Sequence, residues 1–204
     1  MASRSSPVQN VAGRHKVQQC SVVPGIPGSG KSVLASLVVD QLQEDFMGKT
    51  YATVFAYFDY RDQNRQSPDG VTASLLQQLS GRHSDLPEPI LILRKKFKSQ
   101  DIRPQLQDRV KAFSLVCQQF ERVFVVIDAL DECDEGKHRQ TFIEVLHTLR
   151  GQVNVRLFIT SRPHSQDIKK AFDSALHIKV EAKELDLKKY LSKRNREQRC
   201  CRSY

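Results

Sequence analysis

Gly25-Ile26-Pro27-Gly28-Ser29-Gly30-Lys31-Ser32 decides how the rest of this 204-residue chain is read. Before it stands a short apolar run, Gln19 to Val23, which predicts a strand. After it Leu34, Leu37, Val38, Leu42 and Phe46 recur at three- and four-residue spacing, which predicts a helix with one apolar face, ended by Gly48-Lys49. The eight residues thus occupy a strand-to-helix turn and fit the spacing G-x-x-x-x-G-K-[ST] without a mismatch. Glycines let several backbone N–H groups converge on one anion where a Cβ would obstruct. Lys31 supplies a point charge for β- and γ-phosphates, Ser32 offers a hydroxyl to Mg²⁺, and the helix adds the positive end of its dipole. Gly25, Gly28, Ser29, Gly30, Lys31 and Ser32 are the expected nucleotide-binding residues.

Outward from this turn, strands and helices alternate. Tyr51 to Phe58 is β-branched and aromatic and predicts a second strand; Tyr57, Phe58 and Tyr60 are expected to pack in the core rather than to stack on a base. Asp59 to Ser67 reads as a polar loop. Ser67-Pro68 then reads as N-cap and first position of a helix that runs through Leu75, Leu76 and Leu79 to Gly81. Two more helices are expected over 88–98 and 104–120. Val123 to Ile127 is apolar without interruption, as suits a strand buried on both faces. Phe142, Val145, Leu146 and Leu149 mark a helix, Val155 to Thr160 a buried strand, Leu176 to Val180 a fifth strand, and Leu185 to about Arg196 a closing helix. This alternation predicts an α/β fold with a mainly parallel sheet.

Asp128 ends the Val123–Ile127 strand, so it lies in the crevice where open parallel sheets bind ligands. With Ser32 it is the expected holder of Mg²⁺. Small Ala129 leaves room near the phosphates. Asp131 and Glu132 follow, and either carboxylate could orient or deprotonate a water for attack on a γ-phosphate. Arg162 follows the next buried strand, where a guanidinium could report on that phosphate. Asp131, Glu132 and Arg162 are therefore the expected catalytic set.

Composition excludes several other classes. Apolar residues make up 39% of the chain and charged residues 27%, within globular norms. No run of 18 apolar residues occurs, so no membrane span is expected, and the first eleven residues lack the apolar core of a secretory signal. Five cysteines without a C-x-x-C pair suggest neither a disulfide framework nor a zinc ribbon, and Cys133 is expected to be a small packing residue. The six histidines match no metal spacing. The expected location is cytoplasmic. Net charge is +9, but residues 1–20 carry +3 and residues 186–204 carry +5, leaving the middle nearly neutral. Specific nucleic-acid binding is accordingly not expected, and neither the basic tail nor Cys200-Cys201 is given a role.

Taken together, these segments resemble the NACHT-type branch of the STAND signal-transduction ATPases, in particular fungal NLR-like proteins similar to the nephrocystin-3 amino-terminal domain. The resemblance runs over about residues 19–195. It is carried by Gly25–Ser36, Ala56-Tyr-Phe-Asp-Tyr-Arg-Asp-Gln63, Ser74–Leu79, Ile127-Asp-Ala-Leu-Asp-Glu-Cys133, Thr160-Ser-Arg-Pro163 and Asp186–Leu191. The first is a Walker A segment shared by many NTPases, whereas the Walker B segment around Asp128 and the Thr-Ser-Arg-Pro pair are more specific. The resemblance implies a three-layer α/β/α P-loop NTPase of the ASCE type with strand order 5-1-4-3-2. It also implies ATP or ADP with Mg²⁺ as ligands, and self-association or association with full-length relatives in signalling.

The expected organisation is a flexible segment at 1–18, a nucleotide-binding domain at 19–196 and a basic tail at 197–204. The helical subdomain, winged helix and repeats of the family have no counterpart in this sequence, so a nucleotide-binding core with slow or absent hydrolysis is expected. A site without its closing domain stays wet and loses electrostatic leverage. Two alternatives stay open. One is a small-molecule or nucleoside kinase, for which Arg61 and Arg65 are the only candidate lid arginines. The other is a nucleotide-independent interaction domain that regulates full-length relatives.

Overall fold

The computed structural model describes residues 19–46, 50–82, 85–98, 103–134 and 136–179. Five parallel strands form one sheet: β1 (Cys20–Pro24), β2 (Tyr51–Tyr57), β3 (Arg122–Asp128), β4 (Val155–Ser161) and β5 (Leu176–His177). Their spatial order is β2-β3-β4-β1-β5, the expected order read from the opposite edge. An additional strand, β4, therefore stands between the strand that leads into the glycine-rich turn and the strand that ends in Asp128. Of the expected boundaries, Gly48-Lys49, the closing helix from Leu185, and the segments 1–18 and 197–204 fall outside the described residues.

Among the described residues one helix, α1 (Lys31–Asp45), covers one face of the sheet. The other face carries α2 (Pro68–Ser80), α3 (Glu88–Lys98), α4 (Leu106–Cys117), α5 (Lys137–Arg150) and α6 (Gln166–Ala171). Period-two side-chain alternation makes both faces apolar on β3: Val123, Val125 and Ile127 enter the larger cluster with Leu75, Phe113, Phe142 and Leu146, while Val126 enters the smaller one. Buried on both sides, β3 and β4 form a stiff platform whose carboxyl edge holds the glycine-rich turn and the acidic segment.

Several elements start where local chemistry dictates. Ser67 caps α2, its hydroxyl accepting from the Gly70 N–H at 3.1 Å, with Pro68 at the first helical position. Ser67→Ala is expected to cost about 1 kcal/mol, read as a lower urea midpoint with an unchanged slope; an unchanged midpoint contradicts the cap. α4 begins at Leu106 rather than 104, because Gln105 and Asp108 form a reciprocal capping box there, and it ends at Cys117 rather than 120. Its Arg109 pairs with Asp69 in the first turn of α2, tying the two helices together. The segment expected as a loop after β2 contains a short 3₁₀ stretch, Tyr60–Arg65, and the brief α6 had no periodicity to announce it.

Two packing expectations are corrected. The buried face of α1 is Ala35 and Val39, with Val38 and Leu42 half-buried, whereas Leu37 is 41% exposed; Phe46, just past the helix, is partly exposed but stacks on Tyr51 and Phe124 of the sheet. Leu34, Ala35, Leu37, Val38 and Val39 together wrap around the helix, so spacing alone does not choose the inner face. Small Ala35 lets the helix approach Val126 closely, and that contact decides it. Of the three aromatics at the end of β2, only Phe58 is buried, against Phe142. Tyr57 and Tyr60 are exposed at the carboxyl end of the sheet, where the Tyr57 ring stands edge-on to Phe55 and its hydroxyl lies 3.4 Å from that of Ser36 on α1.

Candidate nucleotide site

Residues 25–32 close back on themselves. The Gly25 N–H donates to the Ser161 carbonyl at 3.1 Å, which anchors the start of the turn to the end of β4. Gly28 and Gly30 have φ of 79° and 86°, the left-handed region that residues with a Cβ avoid. A Cβ on Gly25 would fall 2.5 Å from the Ser29 hydroxyl and 3.1 Å from the Lys31 side chain. Lys31 folds over the turn, and Nζ donates to the carbonyls of Gly25 at 2.6 Å and Ile26 at 2.9 Å. The six expected ligand-binding residues thus share one turn, with an ammonium near its centre.

The acidic segment lies two strands away, a lateral step of roughly 10 Å. Register sets Pro24 opposite Ser161 on β4 and Tyr57 opposite Asp128 on β3. Asp128 is 3% exposed, and its Oδ1 accepts from the Thr160 hydroxyl at 2.6 Å. That hydroxyl accepts in turn from the Ala129 N–H at 2.8 Å. Ala129 itself takes φ 52°, a strained conformation for an alanine. The kink sends Leu130 into the core and turns Asp131 and Glu132 towards β4.

There both carboxylates meet Arg162. Asp131 Oδ1 accepts from the Arg162 backbone N–H at 2.8 Å, and its Oδ2 lies 3.1 Å from Nε. Glu132 Oε1 lies 3.2 Å from the same guanidinium, and Oε2 accepts from the Tyr60 N–H at 3.3 Å. The three expected catalytic residues are brought together, while no hydrogen bond joins Ser32 to Asp128 among the described residues.

Two contributors escaped the sequence reading. Thr160 orients Asp128, and only its place in the Thr-Ser-Arg-Pro segment hinted at a role. Arg139 in the first turn of α5 is 4% exposed, and its guanidinium donates to the carbonyls of Asp131 (2.5 Å) and Cys133 (2.7 Å) and pairs with Asp167 of α6. It pins the acidic turn from below, and nothing in its local sequence separates it from a solvated helix charge. Cys133 is buried as expected, and burial pushes its thiol pKa up, which keeps it protonated and inert. Arg61 is held by Asp59 in an exposed pair.

The residues fit a phosphate and a hard cation. Ser29 Oγ is buried with no hydrogen-bond partner, inside a turn that a Cβ at Gly25 would fill. Ser32 carries a hydroxyl and Asp128 a carboxylate, the kinds of oxygen donor that Mg²⁺ prefers.

The family model described as "Nephrocystin 3, N-terminal" matches residues 3–162, well over half of the chain. The chain belongs to this nephrocystin 3 N-terminal family. Among solved structures it is similar to the Orc1 protein of Aeropyrum pernix, determined in complex with DNA, with a TM-score of 0.57 and 14% identity over 88% of this chain and 44% of that one. It is also similar to a Walker-type ATPase of Pyrococcus abyssi, with a TM-score of 0.51 and 10% identity over 84% of this chain and 51% of that one. At such identities the likeness concerns the fold, which is that of a P-loop NTPase. The chain spans about half the length of these structures. No curated protein sequence matches it significantly.

Proposed function

We propose that this nephrocystin 3 N-terminal domain is the ATP- and Mg²⁺-binding core of a STAND/NACHT-type signalling NTPase with slow or absent hydrolysis. The observation that carries this reading is the closed turn around Lys31, one strand away from a β4 end that orients the buried Asp128. Backbone N–H groups of Gly30, Lys31 and Ser32 and the Lys31 ammonium would hold the β- and γ-phosphates, the Ser29 N–H being donated to the Ile26 carbonyl within the turn. Ser32 and Asp128 would hold Mg²⁺, which when bound neutralises phosphate charge.

Slow turnover follows from the bracket on the acidic turn. A carboxylate already paired with Arg162 is a poor base, and a guanidinium whose charge is balanced by Asp131 and Glu132 attracts a γ-phosphate less strongly. Binding rather than turnover is then the output, and the partner is a second copy of the chain or a full-length relative. The proposed place of action is the cytoplasm; no described helix is long and apolar enough to cross a membrane. The kinase alternative gains nothing from Arg61, whose partner is its own loop aspartate.

Nucleotide content tests the reading directly. Protein purified and then denatured should release ADP or ATP, identified by mass spectrometry, and Lys31→Ala protein should release none. Wild-type protein that is nucleotide-free and also ignores added Mg-ATP refutes it.

A further inference from the structure

Along α3, Ile90, Leu93 and Phe97 recur at helical spacing, and Arg94 and Lys98 each follow one of them. The inner side of this apolar stripe packs on the core and on α4. Its outer side, with Pro104 just ahead of α4, floors a groove of about 540 Å³. Arg94, Lys98 and Arg103 stand on the rim, all three exposed, and no Asp or Glu lines the groove among the described residues.

These three cations lack counter-charges. None of them forms an ion pair among the described residues, and Asp108, the acid nearest in the fold to this helix, is taken by Lys96 at 3.6 Å. Cations in a last turn offset the helix dipole, which accounts for Lys95, Lys96 and Lys98. It accounts neither for Arg94, ahead of that turn, nor for Arg103, beyond the helix. Like charges gathered on one rim repel until an anion joins them.

The shape of the groove selects among anions. Phe97 is 9% exposed and presents no ring face on which a base could stack. Leu91 and Ile92 are exposed but stand about 100° apart round the helix, so no single outward stripe is offered to a bilayer. An apolar floor below a cationic rim instead suits apolar side chains flanked by carboxylates. From Ile90 to Phe97 the floor is about 10 Å long, the length of two turns of an incoming helix.

We propose that this groove docks an acidic amphipathic helix of a partner protein. Its apolar side chains sit on Ile90, Leu93 and Phe97, and its carboxylates meet Arg94, Lys98 and Arg103. The docking is independent of nucleotide binding at the turn around Lys31.

Fluorescence anisotropy tests it with a labelled peptide, Leu-Glu-Glu-Leu-Leu-Glu-Asp repeated twice. Wild type should bind this probe saturably below about 1 mM, and at least about tenfold more tightly than the same peptide carrying glutamine and asparagine for its acids. Alanine in place of the leucines should cost a similar factor, about tenfold. Arg94→Glu combined with Lys98→Glu should weaken binding about tenfold or more while keeping the thermal midpoint, because both side chains are exposed. Arg103→Glu, outside the helix, should weaken it at least about threefold, which gives the same reading if the double variant is unstable. No saturable binding overturns the proposal, as does equal binding of the acidic and neutral peptides, of the leucine and alanine peptides, or by wild type and the charge-reversed variants. Phosphatidylserine vesicles or oligothymidylate bound more tightly than the peptide, with the same loss in the variants, also overturn it and assign the rim to a membrane or a nucleic acid.

Discussion

Lys31→Ala protein is expected to bind Mg-ATP about a hundredfold more weakly than wild type while keeping its thermal midpoint within a few degrees. The ammonium sits at the centre of the turn, 2.6 Å and 2.9 Å from the carbonyls of Gly25 and Ile26. Phosphate oxygens arriving there would meet a cation already positioned by the loop. Charge-assisted hydrogen bonds contribute about 1.5–3 kcal/mol each, so loss of contacts to two phosphates amounts to about 3 kcal/mol or more, which is a hundredfold in affinity. The fold loses little, since the two carbonyls stand in a partly exposed turn and water replaces the ammonium. Isothermal titration paired with a circular dichroism melt measures both quantities. Indistinguishable ATP affinities for the two proteins would sink the nucleotide assignment.

Arg139→Met should lower unfolding stability by about 3–5 kcal/mol, the scale found when one partner of a buried charged network is removed. Methionine keeps much of the volume, so the loss reflects polar groups rather than a cavity. Without the guanidinium, the carbonyls of Asp131 and Cys133 lose their donors, at about 1–3 kcal/mol for each one left buried. Asp167 is half exposed and rehydrates at little cost. Arg139→Lys should fall between the two, because a single ammonium cannot reproduce a planar fork that reaches two carbonyls and a carboxylate. Urea titration gives the order wild type, Lys, Met; coincident midpoints for wild type and Met would mean that water satisfies these carbonyls and that Arg139 does not hold the acidic turn.

The particular residues show why some parts of the site were readable and others were not. The Gly25–Ser32 turn is contiguous, and its function depends on properties each residue carries alone: freedom of φ at Gly28 and Gly30, a charge at Lys31, a hydroxyl at Ser32. Asp128 was readable for a similar reason, since an acid after five apolar residues has to stand at the end of a buried strand. Strand order is different. Patterning yields parallel strands but not their sequence across the sheet, which rested on resemblance to a family.

What escaped was relational. Arg162 pairs with groups 30 and 31 residues earlier in the chain, and Thr160 with one 32 residues earlier, so neither partnership exists until β3 and β4 lie side by side. Arg139 looks like any helix-surface arginine until α5 folds over the acidic turn. Leu37 and Tyr57 look like core residues until the helix is rotated by the Ala35–Val126 contact and the strand ends at an open edge.

By itself, then, the sequence determined an α/β chain with a glycine-rich anion turn and an acidic strand end, because those features follow from local backbone freedom and period-two burial. Only the tertiary structure decided which face of α1 is buried, that Arg162 brackets Asp131 and Glu132, and that Arg139 supports them. Those outcomes depend on which distant segments come within hydrogen-bond reach, a quantity no single stretch of chain carries.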